Sequence, residues 1–97
     1  MTNIRDANRR FYILELLSED AGSWTSARII QRALPSLTIV HDVPLGVVNQ
    51  DLRWLDQRGL VQVTVDRVGV AAKLTQLGED TRAGRMTVDG VDRPPLD

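Results

Sequence analysis

Asn49, Gln50, Arg53 and Gln57 are the residues of this sequence whose types and spacing lend themselves most directly to chemistry. On a helix of roughly 3.6 residues per turn they share one face with Gly46, provided that Val48, Leu52 and Leu55 take the other. Carboxamides and guanidinium groups carry paired donors and acceptors that match base edges, Asn or Gln with adenine and Arg with guanine. Arg28 and Arg32 lie upstream and Arg67 downstream, each able to meet a phosphate as a planar cation. The same residues also suit an ordinary solvated helix face and a hairpin tip kept soluble by charge. Other chemistries find little to use. The sequence has no nucleophile elbow, phosphate loop, cysteine–histidine pair or ligand cluster. His41 stands alone beside Asp42, too few ligands for a metal, and Glu79 and Asp80 fit a helix surface. The expectation is a chain without catalysis, metal or cofactor.

Composition sets the limits within which these residues act. The 97 residues are 42% hydrophobic, enough for one modest core. No apolar run approaches the roughly 20 residues of a membrane span, and the first residues are polar rather than signal-like. Without cysteine there is neither a disulfide framework nor a thiolate metal site. A cytoplasmic protein is the plain expectation. Charge argues less clearly, because twelve basic residues against thirteen acids leave a net charge of −1. Eleven of the twelve are Arg, and residues 1–34 hold five of them against four acids.

The elements that must position these residues follow from periodicity. Ile4, Ala7, Phe11, Leu14 and Leu17 recur at helical spacing, widened by Ile13 and Leu16, and predict a first helix over about 3–18. Arg5, Arg9 and Arg10 fall on its opposite, solvated side. A polar loop through Gly22 follows. Thr25 is the expected N-cap of a second helix to about Leu34, with Ala27, Ile29, Ile30, Ala33 and Leu34 inward. Pro35 ends it. Residues 36–44 are rich in β-branched side chains and fit a short strand or an extended connection. Pro44 suits the first turn of a third helix, 44–58, and Gly59 its C-terminal cap. Residues 60–65 and 70–74 read as strands joined by a hairpin turn at 66–69. Thr75 then caps a last helix to about Ala83. Residues 86–97, with Gly90, Pro94, Pro95 and several acids, read as a loose tail beyond a domain of residues 1–85.

Helix, helix, extended piece, helix, hairpin, helix is the element order of a winged helix-turn-helix: α+β, mainly α, with a three-helix core, a two-stranded wing and a C-terminal helix. The segment from Val48 to Val61 resembles the third helix and the turn into the wing of many winged-helix regulators. Its Val48, Leu52 and Leu55 match buried positions, and Gly59-Leu60-Val61 matches the turn into the first wing strand. Leu74-Thr75-Gln76-Leu77-Gly78 is similar to the Leu-Thr-x-x-Gly after the second wing strand in MarR- and PadR-like regulators. Ile13-Leu14-Glu15-Leu16-Leu17 resembles their first helix. The likeness covers residues 4–84, and the chain is as compact as small phage-encoded winged-helix proteins. Its 36–44 connection is longer than in the tightest helix-turn-helix units.

That resemblance implies a transcriptional regulator that binds double-stranded DNA, with the third helix in the major groove. Asn49, Gln50, Arg53 and Gln57 would face bases, and Gly46 would admit a phosphate to the helix N-terminus. Arg28 and Arg32 would hold the backbone, and Arg67 would reach the adjacent minor groove. A homodimer is expected, with the first and last helices and Leu77 and Met86 as its contact elements. The alternative is a winged helix that serves as a protein-interaction module without DNA. The net acidic charge, Asp51 and Asp56 on the third helix, and the acidic tail favour that alternative. Trp24 and Trp54 read as core or interface anchors rather than base-stacking residues, with Trp54, Val47 and Asp51 on the flank of the third helix.

Overall fold

A computed structural model describes residues 3–38 and 42–96. Helix α1 spans Ile4–Ser18 and starts at Asn3, whose side chain accepts a hydrogen bond from the Arg5 N–H at 2.8 Å. This satisfies one of the orphan donors of its first turn. Phe11, Ile13, Leu14 and Leu17 bury its inner face. Ile4, expected in that stripe, is 76% exposed, because the stripe meets its partners only from the second turn onward.

The second helix begins later than expected. Thr25–Ser26 form a short strand β1, and Ser26 caps α2 (Ala27–Ala33) by accepting from the Ile29 N–H at 3.2 Å. Thr25 is drawn into backbone pairing with Ala72, so the capping role passes to its neighbour. Pro35 tightens the chain into a 3-10 turn, Leu34–Ser36, closed by Leu37 N–H on the Leu34 carbonyl at 2.9 Å. Ala27 and Ile30 are buried, whereas Ile29, expected inward, is 58% exposed. The strand or extended segment expected over 36–44 lies partly outside the described residues, as does His41.

Helix α3 runs Leu45–Gln57. Pro44 is its N-cap rather than its first residue, and its carbonyl accepts from Val47 and Val48 at 3.0 and 3.2 Å. Gly59 takes φ +77, which lets Gly59 donate to Asp56 and Leu60 to Leu55, both at 3.0 Å. This pair of bonds is a Schellman ending, and its left-handed residue favours glycine. Strands β2 (Val61–Val65) and β3 (Val70–Leu74) pair antiparallel from Val61 opposite Leu74 to Val65 opposite Val70. With β1 they form a three-stranded sheet in the order β1-β3-β2.

Helix α4, Gln76–Arg82, is capped by Thr75, which accepts from the Gly78 N–H at 3.0 Å and donates to the Gly59 carbonyl at 2.6 Å. Gly78 is there because α4 presses on the backbone. A Cβ added to it would lie 2.0 Å from the Leu60 carbonyl oxygen. The whole is α+β and mainly helical, around one core in which Leu14, Ile30, Leu34, Val48, Leu52, Leu55 and Leu60 are fully buried. Among the described residues no helix is long and apolar enough to cross a membrane.

The segment after α4 departs from the loose tail expected of it. Val91 is buried in the core and Val88 packs against it. Asp92 N–H donates to the Ala7 carbonyl at 3.1 Å, and Arg10 donates to the Gly90 carbonyl at 3.2 Å. Two apolar residues among prolines, glycines and acids were enough to seat it, because the core takes Val91 and α1 offers the Ala7 carbonyl and an arginine.

Candidate nucleic-acid interface

The two long sides of α3 carry opposite chemistry. Val48, Leu52 and Leu55 face the core with no exposure, and Asp51 continues that side. An isolated carboxylate there would be costly. It is met by two arginines of α1: Arg9 chelates both Asp51 oxygens, and Arg10 reaches one at 3.4 Å. Arg9 also donates to Asp6 at 2.8 Å. The hydrogen bonds to Asp51 hold the Arg9 guanidinium more firmly protonated than usual, against the pull of its burial. Arg9 and Arg10, expected on a solvated side, are thus committed to the interior because α3 brings a carboxylate to them.

Trp54 adjoins this pair. Its ring lies between two guanidinium groups, Arg10 at 4.0 Å and Arg58 at 3.5 Å from the centroid, each a cation–π contact. Gly90 lies against the ring edge, where an added Cβ would come within 2.5 Å of it. Trp54 is therefore an anchor for the C-terminal segment.

The other side of α3 makes none of these bonds. Gly46, Gln50, Arg53 and Gln57 are exposed, and Asn49 is half-buried. A Cβ on Gly46 would meet open space, so packing does not demand glycine there. The Asn49 side-chain oxygen is buried without a hydrogen-bond partner among the described residues. Asn49 lines a cleft of about 250 Å³ with Arg28 of α2 and Asp66, Val68 and Gly69 of the hairpin turn. The fold thus gathers the start of α2, the outer side of α3 and the hairpin tip around one depression. Arg32, Gln50, Arg53, Gln57 and Arg67 stand outside that cleft, on exposed surface.

Two details govern the electrostatics of this side. Arg28, Arg32, Arg53 and Arg67 enter no ion pair or side-chain hydrogen bond among the described residues. Arg82 at the end of α4 and Arg85 just beyond it are, by contrast, paired with acids. Arg82 pairs with Glu79 and Glu15, and Arg85 with Asp80 at 2.9 Å. The hairpin acid is also occupied, since the Asp66 carboxylate accepts from the Val68 and Gly69 N–H groups at 2.8 and 3.2 Å. Asp56 is exposed in the last turn of α3.

Sequence reasoning missed the Arg9–Asp51–Arg10 cluster and the stacking on Trp54. The signal for Asp51 was present, because it stands three residues after Val48 and four before Leu55, on their side of the helix. The signal for its partners was not, because Arg9 and Arg10 lie on another helix about forty residues away. No protein-family model matches the chain, and no curated protein shows significant similarity to it.

Proposed function

We propose that this chain is a small winged-helix DNA-binding protein, a transcriptional regulator that reads the major groove with α3 and uses the β2–β3 hairpin as its wing. The observation that carries the reading is the division of charge on α3. Its central acid, Asp51, is turned inward and paired, while Asn49, Gln50, Arg53 and Gln57 are left to an outer side whose Asn49 shares a cleft with Arg28 and the hairpin turn. A duplex needs uncommitted cations for its phosphates and carboxamides or guanidinium groups for its bases. The outer side of α3 supplies both.

In this reading Asn49 or Gln50 faces adenine, Asn49 only once its buried carboxamide oxygen turns out of the cleft; Arg53 faces guanine, and Gln57 extends the row. Gly46 lets a phosphate approach the start of α3. Arg28 and Arg32 hold the backbone, and Arg67 enters the minor groove. The resemblance to MarR- and PadR-like regulators supports a cytoplasmic homodimer, whose two copies of α3 would meet half-sites about 34 Å apart. Exposed Asp56 and the net charge of −1 favour the second reading, a winged helix that binds only protein.

Fluorescence anisotropy with random-sequence duplex, titrated across salt, separates the two. Binding that weakens steeply as salt rises supports phosphate neutralisation, and site selection then identifies the preferred duplex. Absence of binding at low salt overturns the DNA reading in favour of the protein module.

A further inference from the structure

On the α1 side of α2, away from the cleft that Arg28 and Asn49 share, a second depression of about 320 Å³ opens between the two helices. Leu16, Trp24, Ile29 and Ala33 line it, and Glu19 and Asp20 stand at its rim. Its apolar residues are unusually bare. Ile29 is 58% and Trp24 49% exposed, so a short helix and its preceding loop hold two large apolar side chains out in solvent. Such contiguous apolar exposure with a polar rim marks an interaction surface.

We infer that this groove docks a basic amphipathic helix from another protein. The charge decides the occupant. The ionisable groups lining the groove are two carboxylates, while Lys73 lies over the Trp24 ring at 5.3 Å without entering the lining. Phosphates are repelled there, so the groove is no extension of a DNA surface. A second copy seated groove to groove would bring Glu19 and Asp20 of both copies together, a like-charge arrangement that costs affinity. An incoming helix with apolar anchors one turn apart, flanked by Lys or Arg, satisfies both the apolar floor and the acidic rim. Trp24 is the rigid aromatic that such an anchor would pack against.

The experiment is selection of a displayed random-peptide library on the full chain, with the Ile29→Asp chain as counter-target. Ile29 is largely exposed, so its substitution should leave the melting temperature unchanged, and Trp24→Ala provides an independent second lesion. The expected winners pair Leu or aromatic residues at helical spacing with Lys and Arg, and lose binding to both variants. Glu19→Lys should weaken them by about tenfold, with the loss shrinking as salt rises. Enrichment of acidic or uncharged sequences, binding that survives Ile29→Asp, or no enrichment at all overturns the proposal. So does a dimer, seen by sedimentation, that Ile29→Asp dissociates, because the occupant is then a second copy.

Discussion

The inner and outer sides of α3 belong to one helix, yet their polar groups stand in opposite states. Inside, Asp51 and Trp54 are saturated by Arg9, Arg10 and Arg58. Outside, exposed Gln50, Arg53 and Gln57 and half-buried Asn49 make no side-chain bond within the described residues. The difference shows how polar residues can be sorted by what surrounds them. A buried charge survives only with partners, so the inner side is committed to holding α1, α3 and the C-terminal segment together. An exposed group has water as its alternative partner and remains available to a ligand at little cost.

The comparison is broken most severely from the inside. Asp51→Ala leaves Arg9 with Asp6 alone and Arg10 without a carboxylate, and should cost about 3–5 kcal/mol of unfolding free energy, measured by urea denaturation. Replacing Arg9 and Asp51 together by Met and Leu should recover much of that loss, because Arg10 keeps the Gly90 carbonyl and the Trp54 ring and Asp6 is exposed enough to turn to solvent. An equal loss in the double variant would show that the pair does more than neutralise itself.

Gly78→Ala tests the packing that sets the hairpin against α4. Its Cβ would meet the Leu60 carbonyl oxygen, which belongs to the backbone and cannot swing aside. The expected cost is about 1–3 kcal/mol, read as a lower urea midpoint. An unchanged midpoint would mean that α4 can slide on the sheet.

On the outside, Arg53→Ala should leave unfolding within about 0.5 kcal/mol of the parent. It should weaken a selected duplex by about 1–3 kcal/mol and relax preference at one base position. Arg28→Ala should instead lower affinity for all duplexes alike and reduce the salt slope by about one. If Arg53→Ala destabilises the fold, the division between the two sides does not hold.

The smallest effect belongs to the half-exposed ion pairs at the end of α4 and just beyond it. Arg82 holds Glu79, and Arg85 holds Asp80, below the usual carboxylate range. A depressed carboxylate stabilises the fold at neutral pH, and that contribution is lost as pH falls from about 4.3 through its lowered folded value. Melting temperature should therefore decline slightly over that acid range in the parent and less in Glu79→Gln. A decline of the same size in both would assign the acid sensitivity to other carboxylates.

Much of the architecture was legible in residue order. The periodicity of α1 and α3, the cap at Thr75, the left-handed Gly59 and the turn at Asp66–Gly69 are local properties. Each depends on dihedral preferences and on neighbours within a few residues. The outer row of α3 was legible for the same reason, since a helix sorts its faces by spacing alone. Where local signals misled, a distant partner had intervened. Thr25 gave up the cap to Ser26 because β3 presented an edge for it to pair with. Ile29 followed the apolar pattern, but no neighbour among the described residues covers it fully.

Sequence by itself thus determined which elements form and which faces they present, because those choices are made within a turn or two of chain. Tertiary structure decided which charges are spent and which remain free. Arg9, Arg10 and Arg53 are chemically alike, and nothing local separates them. Only the arrival of Asp51 beside α1 turns the first two into structural groups and leaves the third in solvent. The seating of Val91 and Gly90 was settled in the same way, by the core and by an arginine that lies 80 residues back along the chain.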